Sequence, residues 1–220
     1  MENINFRSSC ALLWRRILNT DPKHVFSAAE YQRLMRRHSG DILAQPGYVG
    51  ANFQPGGIVF VAMNPGNGGD GRGDEDLRMY QSLEALRDVP ESGASAAFDK
   101  LTAALAEIMP TWKIFANFVA PILPCKDLRI GDVAYVNLLK WRTDSSERLE
   151  VLFRRSWEAH TREQLRLLRP GRVIAIQRGA GRPFVRLDAG ATRIDIIPGV
   201  IGGNIGPSGR EVIARICASA

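Results

Sequence analysis

The chain has 220 residues, and its hydrophobic fraction of 45% and charged fraction of 24% are ordinary for one folded globular domain. A formal net charge of +6 and a pI near 9.6 favour a polyanionic partner such as a nucleic acid. The apolar piece Ala11-Leu-Leu-Trp14 is interrupted by Arg15-Arg16, so it is too short and too charged for a signal peptide or a membrane span.

The three cysteines, Cys10, Cys125 and Cys217, are far apart in the sequence and include no CxxC pair. This spacing supports neither a structural zinc site nor a cysteine-ligated iron–sulfur cluster. Isolated thiols are typical of a reducing compartment. We therefore expect a cytoplasmic protein without a cysteine-ligated metal site.

The first 50 residues are predicted to be mainly helical. Apolar residues at helical spacing predict a helix from Ser8 to Asn19, and Ser27-x-x-Glu30 is a capping box that begins a second helix. Residues 41–56 contain two prolines and three glycines and are predicted to form a loop.

Apolar strands alternate with helices over the rest of the chain. Strands are predicted at residues 58–63, 133–139, 172–177 and 193–197, and helices at 77–87, 95–109, 144–169 and from 211 to the end. Because such strands are buried on both faces, we predict an α/β fold: a three-layer α/β/α sandwich with a central, mostly parallel four-stranded sheet. Residues 1–220 are expected to form one domain, with residues 1–50 as a helical extension packed on it.

Polar loops follow three of the predicted strands. They are Asn64-Pro65-Gly66, Asn137 to Thr143, and Gly202 to Arg210. Open α/β sheets bind ligands at the carboxyl ends of their strands, so a site is predicted where these loops meet. Asn64-Pro65-Gly66 is also a common way to make a tight turn, and that interpretation stays open.

Other kinds of site have less support in the sequence. The histidines (His24, His38 and His160) lie in predicted helices away from these loops, which argues against a Ser-His-Asp or Cys-His arrangement. Gly66-x-Gly68-x-x-Gly71 fits a dinucleotide fingerprint, but the nearby carboxylates would repel a pyrophosphate. Asp74-Glu75-Asp76 admits a metal site, although acidic residues in the first turn of a helix are the favoured interpretation.

Three short motifs occur in a fixed order along the chain. Ala62-Met-Asn-Pro-Gly66 resembles the first motif of the uracil-DNA glycosylase superfamily, in the form of its mismatch-specific uracil/thymine branch. Gly206-Pro-Ser-Gly209 resembles the second motif, which is His-Pro-Ser in the histidine-containing branch. Between them, Val136-Asn137-Leu-Leu-Lys140 resembles the strand end that carries the base-reading asparagine. The resemblance extends from Gly57 to Arg215.

The resemblance implies a monofunctional DNA glycosylase of base excision repair, which flips uracil or a related deaminated base out of DNA and hydrolyses its N-glycosidic bond. It implies that Asn64 positions the attacking water, that the backbone amides of Met63 and Asn64 face a base carbonyl, and that the side chain of Asn137 reads the base. Tyr80 is the preferred stacking aromatic, with Trp141 and Phe53 as alternatives. The expected partner is uracil-containing DNA, single- or double-stranded, bound by a monomer with no membrane contact. No metal and no other cofactor is expected.

The chain departs from the family pattern at three positions. Gly206, followed by Pro207 and Ser208 in the second-motif loop, replaces the histidine that would donate to the leaving uracil, and one such donor is typically worth ~10²–10³ in rate. Gly66 replaces a tyrosine that excludes the thymine methyl group. Arg210 replaces a leucine wedge and suits a phosphate contact better. A non-catalytic nucleic-acid-binding or nucleotide-sensing protein on the same fold remains the alternative.

Overall fold

A computed structural model describes residues 2–35, 43–63, 73–142, 150–178, 193–199 and 204–219 of the chain. Eight α-helices lie within these ranges: α1 (Glu2–Leu18), α2 (Ala28–Met35), α3 (Gly73–Asp88), α4 (Ala94–Ile108), α5 (Ile122–Cys125), α6 (Glu150–Ser156), α7 (Arg162–Leu168) and α8 (Pro207–Ala218). The strands described are β1 (Tyr48–Val49), β2 (Ile58–Ala62), β3 (Ala134–Asn137), β4 (Arg172–Arg178) and β5 (Arg193–Gly199). A π-helical turn, Trp157–Thr161, joins α6 to α7.

The five strands form one sheet in the order β1-β3-β2-β4-β5. Strands β3, β2, β4 and β5 are parallel, and β1 pairs antiparallel with β3. The predicted α/β class with a mostly parallel sheet is confirmed, but the predicted count of four strands is wrong. The fifth strand is the two-residue Tyr48–Val49 inside the predicted loop 41–56, and it is too short to show any periodicity in the sequence.

The order of the strands creates a topological switch point beside β2. The chain passes from β2 to β3 through α3 and α4, then returns across β2 to reach β4 through α6 and α7. Because parallel crossovers are right-handed, these two connections belong on opposite faces of the sheet. The carboxyl end of β2 therefore lies at this switch point, which is where open α/β sheets hold ligands.

The core is centred on β2 and extends to the N-terminal helix. Residues 59–62 are at most 1% exposed, as expected for a strand covered on both faces. Trp14 of α1 is fully buried, packs edge-on against Phe98 of α4 with ring centroids 5.9 Å apart, and donates from Nε1 to the Gly47 carbonyl at 2.9 Å. The helix α1 thus anchors the loop that leads into β1.

Several helix boundaries differ from the predictions. The helix α1 begins at Glu2 instead of Ser8, and α3 begins at Gly73, which places Asp74 and Glu75 in its first turn. The capping box before α2 is confirmed: the Ser27 N–H donates to Glu30 Oε2 at 2.7 Å, and the Glu30 N–H donates to Ser27 Oγ at 3.4 Å. Residues 144–149, where the long helix was predicted to begin, lie outside the described residues.

A disulfide bond joins Cys125 of α5 to Cys217 of α8. The expectation of three isolated thiols is therefore wrong, because the fold brings together two cysteines that are 92 residues apart in the sequence. Cys10 is free and buried, and burial raises the pKa of its thiol to about 12. Because two of the three cysteines form a disulfide bond, the cysteines do not indicate a reducing compartment. The cytoplasmic location stays a prediction.

No helix within the described ranges has the length and apolar composition needed to cross a bilayer.

Candidate functional site

The carboxyl ends of β2 and β3 lie side by side. Ala62 and Asn137 are paired in the parallel register, and the backbone pairing continues beyond both strands. The Leu138 N–H donates to the Ala62 carbonyl at 2.7 Å, and the Leu139 N–H donates to the Met63 carbonyl at 2.8 Å. The structure thus brings Met63 and Asn137 together at the switch point, whereas Asn64 lies outside the described residues and its role stays a prediction.

The side chain of Asn137 is buried, and its amide oxygen accepts no hydrogen bond from the described residues. Only 5% of the residue is exposed, and no hydrogen-bond donor reaches its Oδ1 from the part of the chain that the structure describes. A buried amide oxygen without a partner costs roughly 1–3 kcal/mol. A ligand that donated a hydrogen bond to this oxygen would recover that free energy.

Asn137 lines a cavity between β3, β1 and the helices α3 and α4. The cavity and its mouth hold about 290 Å³ of space, part of which is open solvent. Its walls are mostly apolar or aromatic, with the two amides of Gln45 and Asn137 as polar groups; the remaining lining residues are Gly47, Tyr48, Met79, Leu83, Leu105, Met109, Trp112 and Tyr135. An apolar cavity with few polar groups suits a flat, partly polar ligand.

The loop before β1 forms the second wall of this cavity. Gly47 has a φ of +108°, and a Cβ built on it would lie 2.2 Å from the Tyr135 carbonyl oxygen, so only glycine allows the loop this close to β3. The Gln45 N–H then donates to the Lys140 carbonyl at 2.6 Å. Gln45 was not predicted as a site residue, since the only local sequence feature beside it is the Pro46-Gly47 turn that follows it.

Tyr80, the predicted stacking residue, lies beside the cavity. It is half-buried, its hydroxyl accepts a hydrogen bond from Gln45 Nε2 at 3.3 Å, and the Arg142 guanidinium carbon lies 5.2 Å from its ring centroid. The two alternatives are core residues. Trp141 is fully buried against Phe26, and Phe53 is 2% exposed and packs close to Gly57, at the amino end of β2.

Three other aromatic residues, Tyr48, Trp112 and Tyr135, line the cavity and were not predicted. The rings of Trp112 and Tyr135 meet edge-on, with centroids 6.4 Å apart. Burial raises the pKa of the Tyr135 phenol above its ordinary value, so this hydroxyl stays protonated. The strand alternation that places Tyr135 two residues before Asn137 on the same face was the signal available in the sequence.

The second motif forms the start of α8 and is not part of a loop, which corrects the prediction. Gly206 is the N-cap residue, Pro207 occupies the first helical position, and Ser208 and Arg210 are exposed. A Cβ on Gly209 would lie 2.7 Å from the Pro198 carbonyl oxygen, so the helix packs closely on the carboxyl end of β5. This end lies on the ligand edge of the sheet, two strand spacings, or about 10 Å, from β2.

Two basic side chains are buried near the end of β3. Lys140 is fully buried, and desolvation holds the pKa of its amine well below its ordinary value. His160 is 6% exposed, and desolvation, followed by the charges of Lys140 and Arg16, lowers its pKa to about 4. No group of three histidine, cysteine or carboxylate side chains that could hold a metal ion occurs among the described residues.

No protein-family model and no curated protein matches this chain. The resemblance to the uracil-DNA glycosylase superfamily therefore depends on the three motifs. The motifs of Asn137 and Gly206 lie within the described residues, the first motif does so only at Ala62 and Met63, and these parts are all at the same edge of the sheet.

Proposed function

We propose that this protein is a monofunctional DNA glycosylase that hydrolyses the N-glycosidic bond of uracil, or of a related deaminated base, in DNA. The observation that carries the proposal is the buried Asn137 amide at the strand end beside Met63, which lines a mostly apolar cavity and whose Oδ1 has no partner among the described residues. The net charge of +6 supports binding of a DNA backbone.

The hydrogen-bond pattern of Asn137 fits the change that deamination makes to a base. Cytosine and adenine present an unprotonated ring nitrogen beside an exocyclic amine, whereas uracil and hypoxanthine present a ring N–H beside a carbonyl. An amide whose oxygen accepts from that N–H and whose NH₂ donates to that carbonyl matches the deaminated base. The parent base would leave two buried polar groups unpaired, a mismatch that can discriminate by orders of magnitude.

Hydrolysis then needs a water on the far side of the sugar from the base. The water oxygen bonds to C1′, the bond from C1′ to the base nitrogen breaks, and the electron pair leaves with the base as an anion. The proton that the water loses passes through solvent to that base, which leaves a hydroxyl on C1′. In this proposal Asn64 positions the water, and the backbone amides of Met63 and Asn64 face a carbonyl of the base. Tyr80, at the side of the cavity, would contact the flipped base, and Arg210 would contact a phosphate.

The proposal is tested with oligonucleotides that carry one uracil, hypoxanthine, xanthine or mismatched thymine, single- and double-stranded. Alkali after incubation cleaves the strand wherever a base has been released. We expect scission at uracil that is lost in Asn64→Ala and reduced at least 100-fold in Asn137→Asp. Asn52→Asp, the same substitution at an exposed position, is the control and should retain the wild-type rate.

The outcomes separate the enzyme from its alternative. Scission that is unaffected by Asn137→Asp would remove this residue from the site. DNA binding without scission of any substrate in the panel would reject the glycosylase and favour the non-catalytic nucleic-acid-binding protein. Sedimentation of the protein with and without the oligonucleotide would test the expectation that it acts as a monomer.

A further inference from the structure

The backbone carbonyl of Asn137 is held by two buried side chains. Lys140 Nζ donates a hydrogen bond to this oxygen, and Thr161 Oγ1 lies 3.2 Å from it and 3.1 Å from the Leu138 carbonyl. Lys140 and Thr161 are both fully buried. The end of β3 is therefore held by these two side chains as well as by its backbone pairing with β2.

The π-helical turn between α6 and α7 presents Thr161 to this carbonyl. Trp157–Thr161 forms the turn, and Thr161 is its last residue. Such turns insert a residue into a helix, change the direction of the side chains that follow, and occur often at functional sites. Ser156, just before the turn, receives a hydrogen bond from the Lys140 N–H on its Oγ at 3.3 Å, so the same segment contacts the end of β3 twice.

Burial of the Lys140 amine is energetically unfavourable. A fully buried amine loses its hydration, and no carboxylate lies within 4 Å of it in the described ranges. An apolar side chain of similar length would fill the space without that cost. What only the lysine supplies is a donor for the Asn137 carbonyl.

We propose that Thr161 and Lys140 are positioning residues that fix the Asn137 carbonyl and thereby aim its side-chain amide into the cavity. The inference rests on the proposed base-reading role of Asn137. Neither side chain lines the cavity, so both would act on the base only through Asn137. Because small misplacements of a reacting group carry large rate penalties, loss of either donor should slow base release more than it weakens DNA binding.

The test compares Thr161→Val, which replaces the hydroxyl with a methyl group, with Thr161→Ser, which keeps the hydroxyl and loses the methyl group. Thr102→Val makes the same change at a buried threonine of α4 that does not line the cavity, and it serves as the control. Lys140→Met removes the other donor and provides a second test if Thr161→Val does not fold. Single-turnover release of uracil and the Kd for the oligonucleotide are measured for each folded variant.

We expect Thr161→Val and Lys140→Met to lower the single-turnover rate about 10-fold, the scale of one neutral hydrogen bond, with an unchanged Kd. Thr161→Ser should restore the rate, and Thr102→Val should leave it unchanged. Equal effects of Thr161→Val and Thr102→Val, or no rate effect of Thr161→Val and Lys140→Met, would overturn the inference.

A readout that needs no activity separates this inference from the proposed function. In protein labelled with ¹⁵N-asparagine, the side-chain amide signal of Asn137 is the one lost in Asn137→Asp. Thr161→Val should shift and broaden that signal, and Thr161→Ser should restore it. If the wild-type protein releases no base, the proposed function fails, and the positioning role is then judged by the amide signal of Asn137 alone. An unchanged signal in Thr161→Val would overturn that role.

Discussion

The backbone N–H of Leu139, two residues beyond the end of β3, donates to the carbonyl of Met63, one residue beyond the end of β2, at 2.8 Å. The pairing of the two strands therefore continues into the segments that leave them. Asn137, the last residue of β3, lines the cavity next to this paired segment. Two motifs that are about 70 residues apart in the sequence are held in contact by ordinary sheet hydrogen bonds.

Gly47→Ala tests the close approach that forms the wall of the cavity. The new Cβ would overlap the Tyr135 carbonyl and would also strain a backbone with φ of +108°. Gly56→Ala is the matched control, because Gly56 has φ of +94° but no neighbouring atom within 4 Å of a Cβ. We expect both variants to lose ~1 kcal/mol or more from backbone strain. Gly47→Ala should lose more, measured by urea unfolding, and an equal loss would contradict the packing argument.

His160 should make the stability of the fold fall in acid. Its folded pKa of about 4 lies below the ordinary value of 6.5, so the unfolded chain binds a proton more readily. This contribution is fully present above pH 6.5 and is lost as the pH falls toward 4. Between pH 7.5 and 4.5 the loss should be roughly 2–3 kcal/mol.

The pH effect of His160 is measured as the difference between the wild type and His160→Phe, which keeps an aromatic ring in contact with Trp141. The free energy of unfolding of His160→Phe should fall less between pH 7.5 and 4.5 than that of the wild type. His24→Gln, at an exposed histidine, is the control. An identical pH dependence in the wild type and His160→Phe would show that His160 does not carry the effect.

Reduction of the disulfide between Cys125 and Cys217 should destabilise the protein. The bond closes a long loop and fixes α5 to α8, and such cross-links typically contribute about 2–4 kcal/mol. The Tm of the wild type should fall when a reductant is added. The Tm of the Cys125→Ser/Cys217→Ser double variant should not change, and a wild-type Tm that is insensitive to reductant would contradict the bond.

Arg210→Ala tests whether the first turn of α8 contacts DNA. Arg210 is exposed at the N-terminal end of the helix, and Arg215 is exposed in its last turn. We expect Arg210→Ala to weaken binding and to reduce the slope of log K against log salt by about 0.9, the value for one phosphate contact. Arg215→Ala should leave the slope unchanged. Equal slopes for Arg210→Ala and the wild type would show that Arg210 does not contact a DNA phosphate.

Much of the fold could be predicted because burial leaves a direct mark on the sequence. A strand covered on both faces, such as β2, must be continuously apolar, and the capping box at Ser27 and Glu30 satisfies local backbone donors. The strand β1 was missed because its two residues are held by pairing with β3 and carry no pattern of their own. The pairing of Cys125 with Cys217 was missed because spacing in the chain says nothing about distance in space.

The sequence by itself determined the alternation of strands and helices, and therefore an α/β fold whose polar residues gather at the carboxyl ends of its strands. Tertiary structure alone decided that β3 lies next to β2, that the Pro46-Gly47 turn brings Gln45 to the same cavity, and that Thr161 reaches the Asn137 carbonyl. The reason is physical. Local patterns record which groups must be buried or capped, whereas the partners of a buried amide come from distant segments that only the folded chain brings together.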